Sequence, residues 1–267
     1  MDFSWIDFDL EGARGELLAA TDRVVSLVES LAAPTAKSGT LEWSRAETAA
    51  HLIAGCEGYT TWLNGNAITL LDRSNIAQSQ IERIAEIEER DPRALATRLR
   101  AAADALVFAL AGRDAYEIVP YNDKTQPVGA AAGLMIGELL LHGADMAAGT
   151  GVRWEISQAA CRHIVRGNFA VLPYYIRRDV AASRPCEFDI RVADVARARW
   201  SFGDHGLRIT AADKGRYDVH VAARAKGLVL ALYGRRSPIS QVARGQVIAY
   251  GRKPFAPFRL RDYAMDI

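Results

Sequence analysis

The chain has 267 residues, half of them hydrophobic and 24% charged, which suits one large globular domain or two ordinary ones. Its 33 basic and 32 acidic side chains leave a formal net charge of +1, and this excludes the lopsided basic surface that a nucleic-acid partner draws. Cys56, Cys161 and Cys186 are scattered with no CxxC spacing, so they read as thiols of a reducing compartment and not as a disulfide framework.

The N-terminus, MDFSWIDFDLEGARGE, is acidic and lacks an apolar h-region, so no signal peptide is expected. Residues 10–31 carry Leu10, Leu17, Val24, Val28 and Leu31 at steps of three, four and seven residues, the pattern of one buried helical face. Ser44 followed by Glu47 is a capping box, and the helix it starts is expected to run to about Leu63. Asp91 as N-cap with Pro92 at the first helical position starts another. A further long helix is expected from near Gln126 or Pro127 to the AGTG at 148–151. Its stretch, PVGAAAGLMIGELLLHGADMAAG, has the length of a membrane span. Three ionisable groups and five glycines mark it instead as a buried helix of a soluble, cytoplasmic protein. Four such helices with few strand signals predict an antiparallel bundle.

The pattern changes near residue 150. A helix over 155–179 leads into residues 186–223, where polar and apolar residues alternate between Gly-Asp and Asp-Lys-Gly turns, as in a small antiparallel sheet. An apolar helix, AKGLVLALYG, a strand near QVIAYG and a C-terminal segment follow. The predicted fold class is α plus α+β: a helical bundle domain over residues 1–152 and a smaller α+β domain over 153–267.

The segment GELLLHGAD, residues 137–145, sets a glutamate, a histidine and an aspartate in an apolar run. Buried acids and imidazoles need partners. Residues four and seven apart share a helical face, so Glu138, His142 and Asp145 line up. Gly129, Gly133 and Gly137 form an adjacent row that admits a close neighbour. His51, two turns inside the Ser44 cap, shares its face with Gly55, Gly58 and Tyr59. Two imidazoles and a carboxylate from two helices make a sensible three-ligand divalent-metal site with an open fourth position, and Asp145 could orient a ligand. The same residues also fit a satisfied core histidine and an acid–histidine pair at chance spacing, so spacing alone leaves both readings open.

Two stretches, EWSRAETAAHLIAG and GELLLHGADMAAGTG, resemble the mycothiol-dependent maleylpyruvate isomerase family. Trp43, Ser44, His51, Leu52, Glu138, His142, Asp145 and Gly151 carry the likeness. RWSFGDHGL, LVLALYGRRSPI and GQVIAYGR carry it through the C-terminal part. The resemblance implies a DinB-like metal-binding four-helix bundle followed by a sterol-carrier-protein-like α/β domain. It implies zinc on His51, Glu138 and His142, although such a donor set also accepts nickel, cobalt or iron, with Asp145 in support. Mycothiol would be the thiol cosubstrate, and the chemistry would be cis–trans isomerisation of a maleylpyruvate-type unsaturated acid or thiol S-transfer. Coordination makes a thiolate from a thiol of reference pKa about 8.5. Arg235 in LYGRRSP and Arg252 in YGRKP are the candidates for binding substrate carboxylates by motif position, while either one taken singly reads more readily as a solvated surface arginine. His163, His205 and His220 lie outside the motifs. The expected partners are a small-molecule substrate and a thiol, with neither nucleic acid nor membrane, in a monomer or homodimer. The rival readings are a metal-dependent hydrolase using zinc-bound water and a non-enzymatic carrier of an apolar ligand.

Overall fold

Capping signals and apolar periodicity set the helices of the first half in a computed structural model of the chain, which describes residues 2–69, 72 and 75–265. The described chain divides into two units. One is Asp9–Ile156, and the other gathers residues 2–8 and 157–265.

In the helical unit, α1 (Leu10–Glu29) is capped by Asp9 and buries Leu10, Leu17, Val24 and Val28, the face read from the sequence. Helix α2 (Arg45–Leu63) begins at Ser44, whose hydroxyl accepts from the Glu47 N–H while Glu47 accepts from the Ser44 N–H. Such a cap contributes about 1 kcal/mol. A short helix, α3 (Ile76–Ala85), follows. Helix α4 (Pro92–Leu110) starts at Asp91 with Pro92 in its first turn. Strands β1 (Ile118–Tyr121) and β2 (Lys124–Pro127) then pair antiparallel. The sequence reading missed this hairpin, whose strands are four residues long and interrupted by Pro120. Asn122 closes it with φ +52°, a conformation that asparagine tolerates. Pro127 ends β2 and immediately precedes α5 (Val128–Ala147). Helices α4 and α5 each pack on both α1 and α2. Because α5 is buried on nearly all sides, its apolar residues run almost without break. No helix among the described residues is long and apolar enough to cross a membrane.

The second unit departs from the sequence reading in two ways. The helix expected over 155–179 is α6 (Gln158–Val171) followed by a 3₁₀ turn, Leu172–Tyr175, and then α7 (Arg178–Ser183). Pro173 lacks the N–H that would extend α6. The sheet has five strands, β3 (Cys186–Val192), β4 (Ala196–Gly203), β5 (Gly206–Ala211), β6 (Val219–Ala223) and β7 (Val247–Gly251), in the order β5-β4-β3-β6-β7. It is mixed and not wholly antiparallel. Strands β3, β4 and β5 form a meander, but β6 lies parallel on the other edge of β3. Residues 212–218 return the chain to that edge, held by Asp213 on Arg199. Helix α8 (Ala225–Leu232) packs on α6, and α9 (Pro238–Ala243) precedes β7. Trp200 and Phe188 are fully buried. Phe169 of α6 meets Trp200 edge-on and stacks on Trp5, which ties the N-terminal residues to this unit.

Candidate metal centre

The Ser44 cap fixes where α2 begins, so it also fixes the direction in which His51 points two turns later. Glu138 of α5 stands opposite. Its Oε2 lies 3.1 Å from His51 Nε2 and 3.3 Å from His142 Nε2. One ligand atom from each of the three residues falls within 4.8 Å of the other two. On the far side of the His142 ring, Nδ1 is 3.2 Å from Asp145 Oδ2. Asp145 is buried, while the side chains of His51 and His142 keep about one-sixth of their surface exposed, at 16% and 15%, and that of Glu138 keeps 36%. The centre therefore opens to a ligand on one side and is closed behind.

Trp43 forms a wall, its ring centroid 4.9 Å from His51 and 6.0 Å from His142. The two imidazoles meet edge-on at 4.9 Å. The loop that carries Trp43 is fastened by the Ser38 N–H to the Trp43 carbonyl and by a bridge between Lys37 and Ser44. Gly39 crosses directly over Asp145 with φ +58°, and a Cβ there would lie 3.3 Å from the Asp145 backbone.

Electrostatics follow from the pairing. Burial would raise the Glu138 carboxyl, but hydrogen bonds from His142 and His51 more than offset it and hold the group well below the usual carboxylate range. Burial would likewise lower His142, yet its two ring nitrogens face Asp145 and Glu138, and these acceptors lift it to about 9. His51 has one such partner, so burial prevails and its pKa falls below the ordinary imidazole value. The thiol of Cys56 on α2 is pushed up to about 12 by burial, and that of Cys186 to about 11.

The structure thus brings His51, Glu138, His142 and Asp145 together. Arg235 and Arg252 belong to the sheet-containing unit. Arg235 donates from Nη1 to the Tyr233 carbonyl, and the largely exposed Arg252 pairs with Asp218 at 2.5 Å. His163 is buried on α6, and His220 pairs with Asp189 at 2.8 Å. Three contributors near the centre escaped the sequence reading. Arg83, half-buried on α3, donates to the Ala54 carbonyl on α2 and helps to lower His51. Gly39 had no motif to mark it. Gly143 is required because a Cβ there would lie 2.2 Å from the ring of Trp154, whose indole N–H donates to the Leu140 carbonyl.

No curated protein matches the chain. Among solved structures, the crystal structure of the mycothiol-dependent maleylpyruvate isomerase is similar over 93% of this chain and 95% of its own, at 18% identity and a TM-score of 0.55. A histidine-to-alanine mutant of that isomerase matches over the same shares at 16% identity and a TM-score of 0.53. At these identities the likeness is one of fold, a mixture of helical and sheet structure. The family model described as the mycothiol maleylpyruvate isomerase N-terminal domain matches residues 17–147, a span that contains all four residues of the centre. Residues 17–147 therefore form a domain of the mycothiol maleylpyruvate isomerase N-terminal family.

Proposed function

We propose that this protein is a zinc- and thiol-dependent enzyme that isomerises a maleylpyruvate-type cis-unsaturated acid, with mycothiol as cosubstrate. The observation that carries the reading is the convergence of His51, Glu138 and His142 donor atoms from two helices within 4.8 Å. The donor set fits a divalent cation. Glu138 is ionised, His51 is easily kept neutral, and Asp145 leaves His142 Nε2 facing the other two donors. A cation held there would supply Lewis acidity, lowering the pKa of a small thiol so that it reacts at neutral pH.

The chain's own residues account for the remaining requirements. All three cysteines are buried, and burial moves Cys56 and Cys186 away from thiolate formation, so the sulfur comes from outside. Asp145 fixes the tautomer and orientation of His142. Trp43 covers one side of the imidazole pair and keeps bulk water from it. The thiol, having lost its proton, adds as thiolate to one carbon of the cis double bond. The π electrons shift onto the conjugated carbonyl as an enolate, whose return later expels the thiolate. The former double bond turns as a single bond, the carbon–sulfur bond breaks, and the trans acid and the thiol are released. Arg235 and Arg252 remain the candidates for the substrate carboxylates, as the resemblance implies. On this reading the helical unit, Asp9–Ile156, is a DinB-like four-helix bundle and the sheet-containing unit is sterol-carrier-like, with residues 2–8 joining the second unit and not, as the expected bounds of 1–152 and 153–267 had it, the first.

The test is turnover of maleylpyruvate with and without mycothiol. Thiol-dependent formation of the trans acid, lost by at least a thousandfold in His51→Ala, is expected. Accumulation of a stable thioether would mark an S-transferase instead, and hydrolysis without thiol would overturn the reading.

A further inference from the structure

Arg166 lies on α6, away from the motifs, and is only 9% exposed. Its Nε is buried without a hydrogen-bond partner, and no described residue forms an ion pair with its guanidinium. A buried guanidinium is stable when an anion completes it, because desolvation removes water's compensation and returns nothing. The side chain is not sealed in. It lines a cleft of about 680 Å³ at the β3–β4 turn, together with Asp7, Arg191, Asp194, Arg197 and the small residue Ala222. That volume lies in the range of small-molecule sites.

The charges sort into engaged and available groups. Arg197 is committed to Asp189 through Nε and Nη2, and Asp194 pairs with Arg162. Arg191, exposed on β3, has no ion partner among the described residues, and neither has Asp7. Two available guanidiniums and one available carboxylate therefore face the same space. Guanidinium binds a planar or tetrahedral oxyanion through two parallel hydrogen bonds. Asp7 adds an acceptor for a hydroxyl or ammonium on the same ligand.

We infer that the cleft lined by Arg166, Arg191 and Asp7 is a binding site for a small oxyanion, a carboxylate or phosphate that also carries a hydrogen-bond donor. The site is lined entirely by the sheet-containing unit and stands independently of the metal reading. The experiment is isothermal titration of the intact protein with malate and, separately, with inorganic phosphate, at ionic strength held constant with sodium chloride. Arg166→Lys keeps the charge but loses the fork, and Arg191→Ala alters an exposed position that the fold does not need. Saturable binding of either probe, weakened at least tenfold by either substitution, is expected. The tighter probe identifies a carboxylate or a phosphate ligand. Absence of saturable binding in the unsubstituted protein, or binding that both variants retain within tenfold, would overturn the site.

Discussion

His142 sits between two carboxylates, Glu138 on Nε2 and Asp145 on Nδ1, and this sandwich governs how the centre handles protons. In the metal-free protein its pKa is lifted to about 9 from an ordinary 6.5. The stabilisation from this group is therefore fully present below pH 6.5 and lost as pH rises through 9. A metal must displace the Nε2 proton, whereas Glu138 and His51 give up none at neutral pH. Affinity for zinc should accordingly rise about tenfold per pH unit up to pH 9, measured by competition with a chromophoric chelator. A flat profile would contradict the pairing. Asp145→Asn keeps the shape but weakens the acceptor, and should reduce zinc affinity by about 10- to 100-fold with the fold intact. The lineup of Glu138, His142 and Asp145 was legible because four- and seven-residue spacing is a property of the helix itself. The parts played by Gly39 and Arg83 were not, since each depends on a loop or helix brought in from elsewhere.

At the scale of elements, local signals proved the most readable. The Ser44–Glu47 box and the Asp91–Pro92 start lie at the ends of α2 and α4 because a cap satisfies backbone groups within its own turn. The β1–β2 hairpin was not readable, being too short to show alternation, and the parallel β3–β6 pairing was not because it joins residues about 30 positions apart. Just beyond the end of α5 the chain folds back onto the helix's C-terminal half. Trp154 packs onto Gly143, and Arg23 stacks over the indole at 4.3 Å. Gly143→Ala would drive a methyl into that ring and should destabilise the protein by about 1–3 kcal/mol in denaturant unfolding. Its neighbours His142 and Asp145 would move with it, so zinc affinity should fall as well. Unchanged stability would show that Trp154 is free to leave.

For the whole molecule, the division of labour follows from composition. The helical unit brings His51, Glu138, His142 and Asp145 together at one centre, and the sheet-containing unit pairs Arg197 with Asp189 and Arg199 with Glu187 across β3 and β4. All three cysteines are buried, and on the proposed reading the chemistry rests on what the three donors hold. The most direct measurement is the metal content of protein purified without added metal, by elemental analysis, beside His51→Ala and His142→Ala. About one zinc per chain, as a single three-ligand site requires, with loss of that metal in both variants, is the predicted result. Protein that contains no divalent metal, and whose affinity for zinc is unchanged by either substitution, would contradict it.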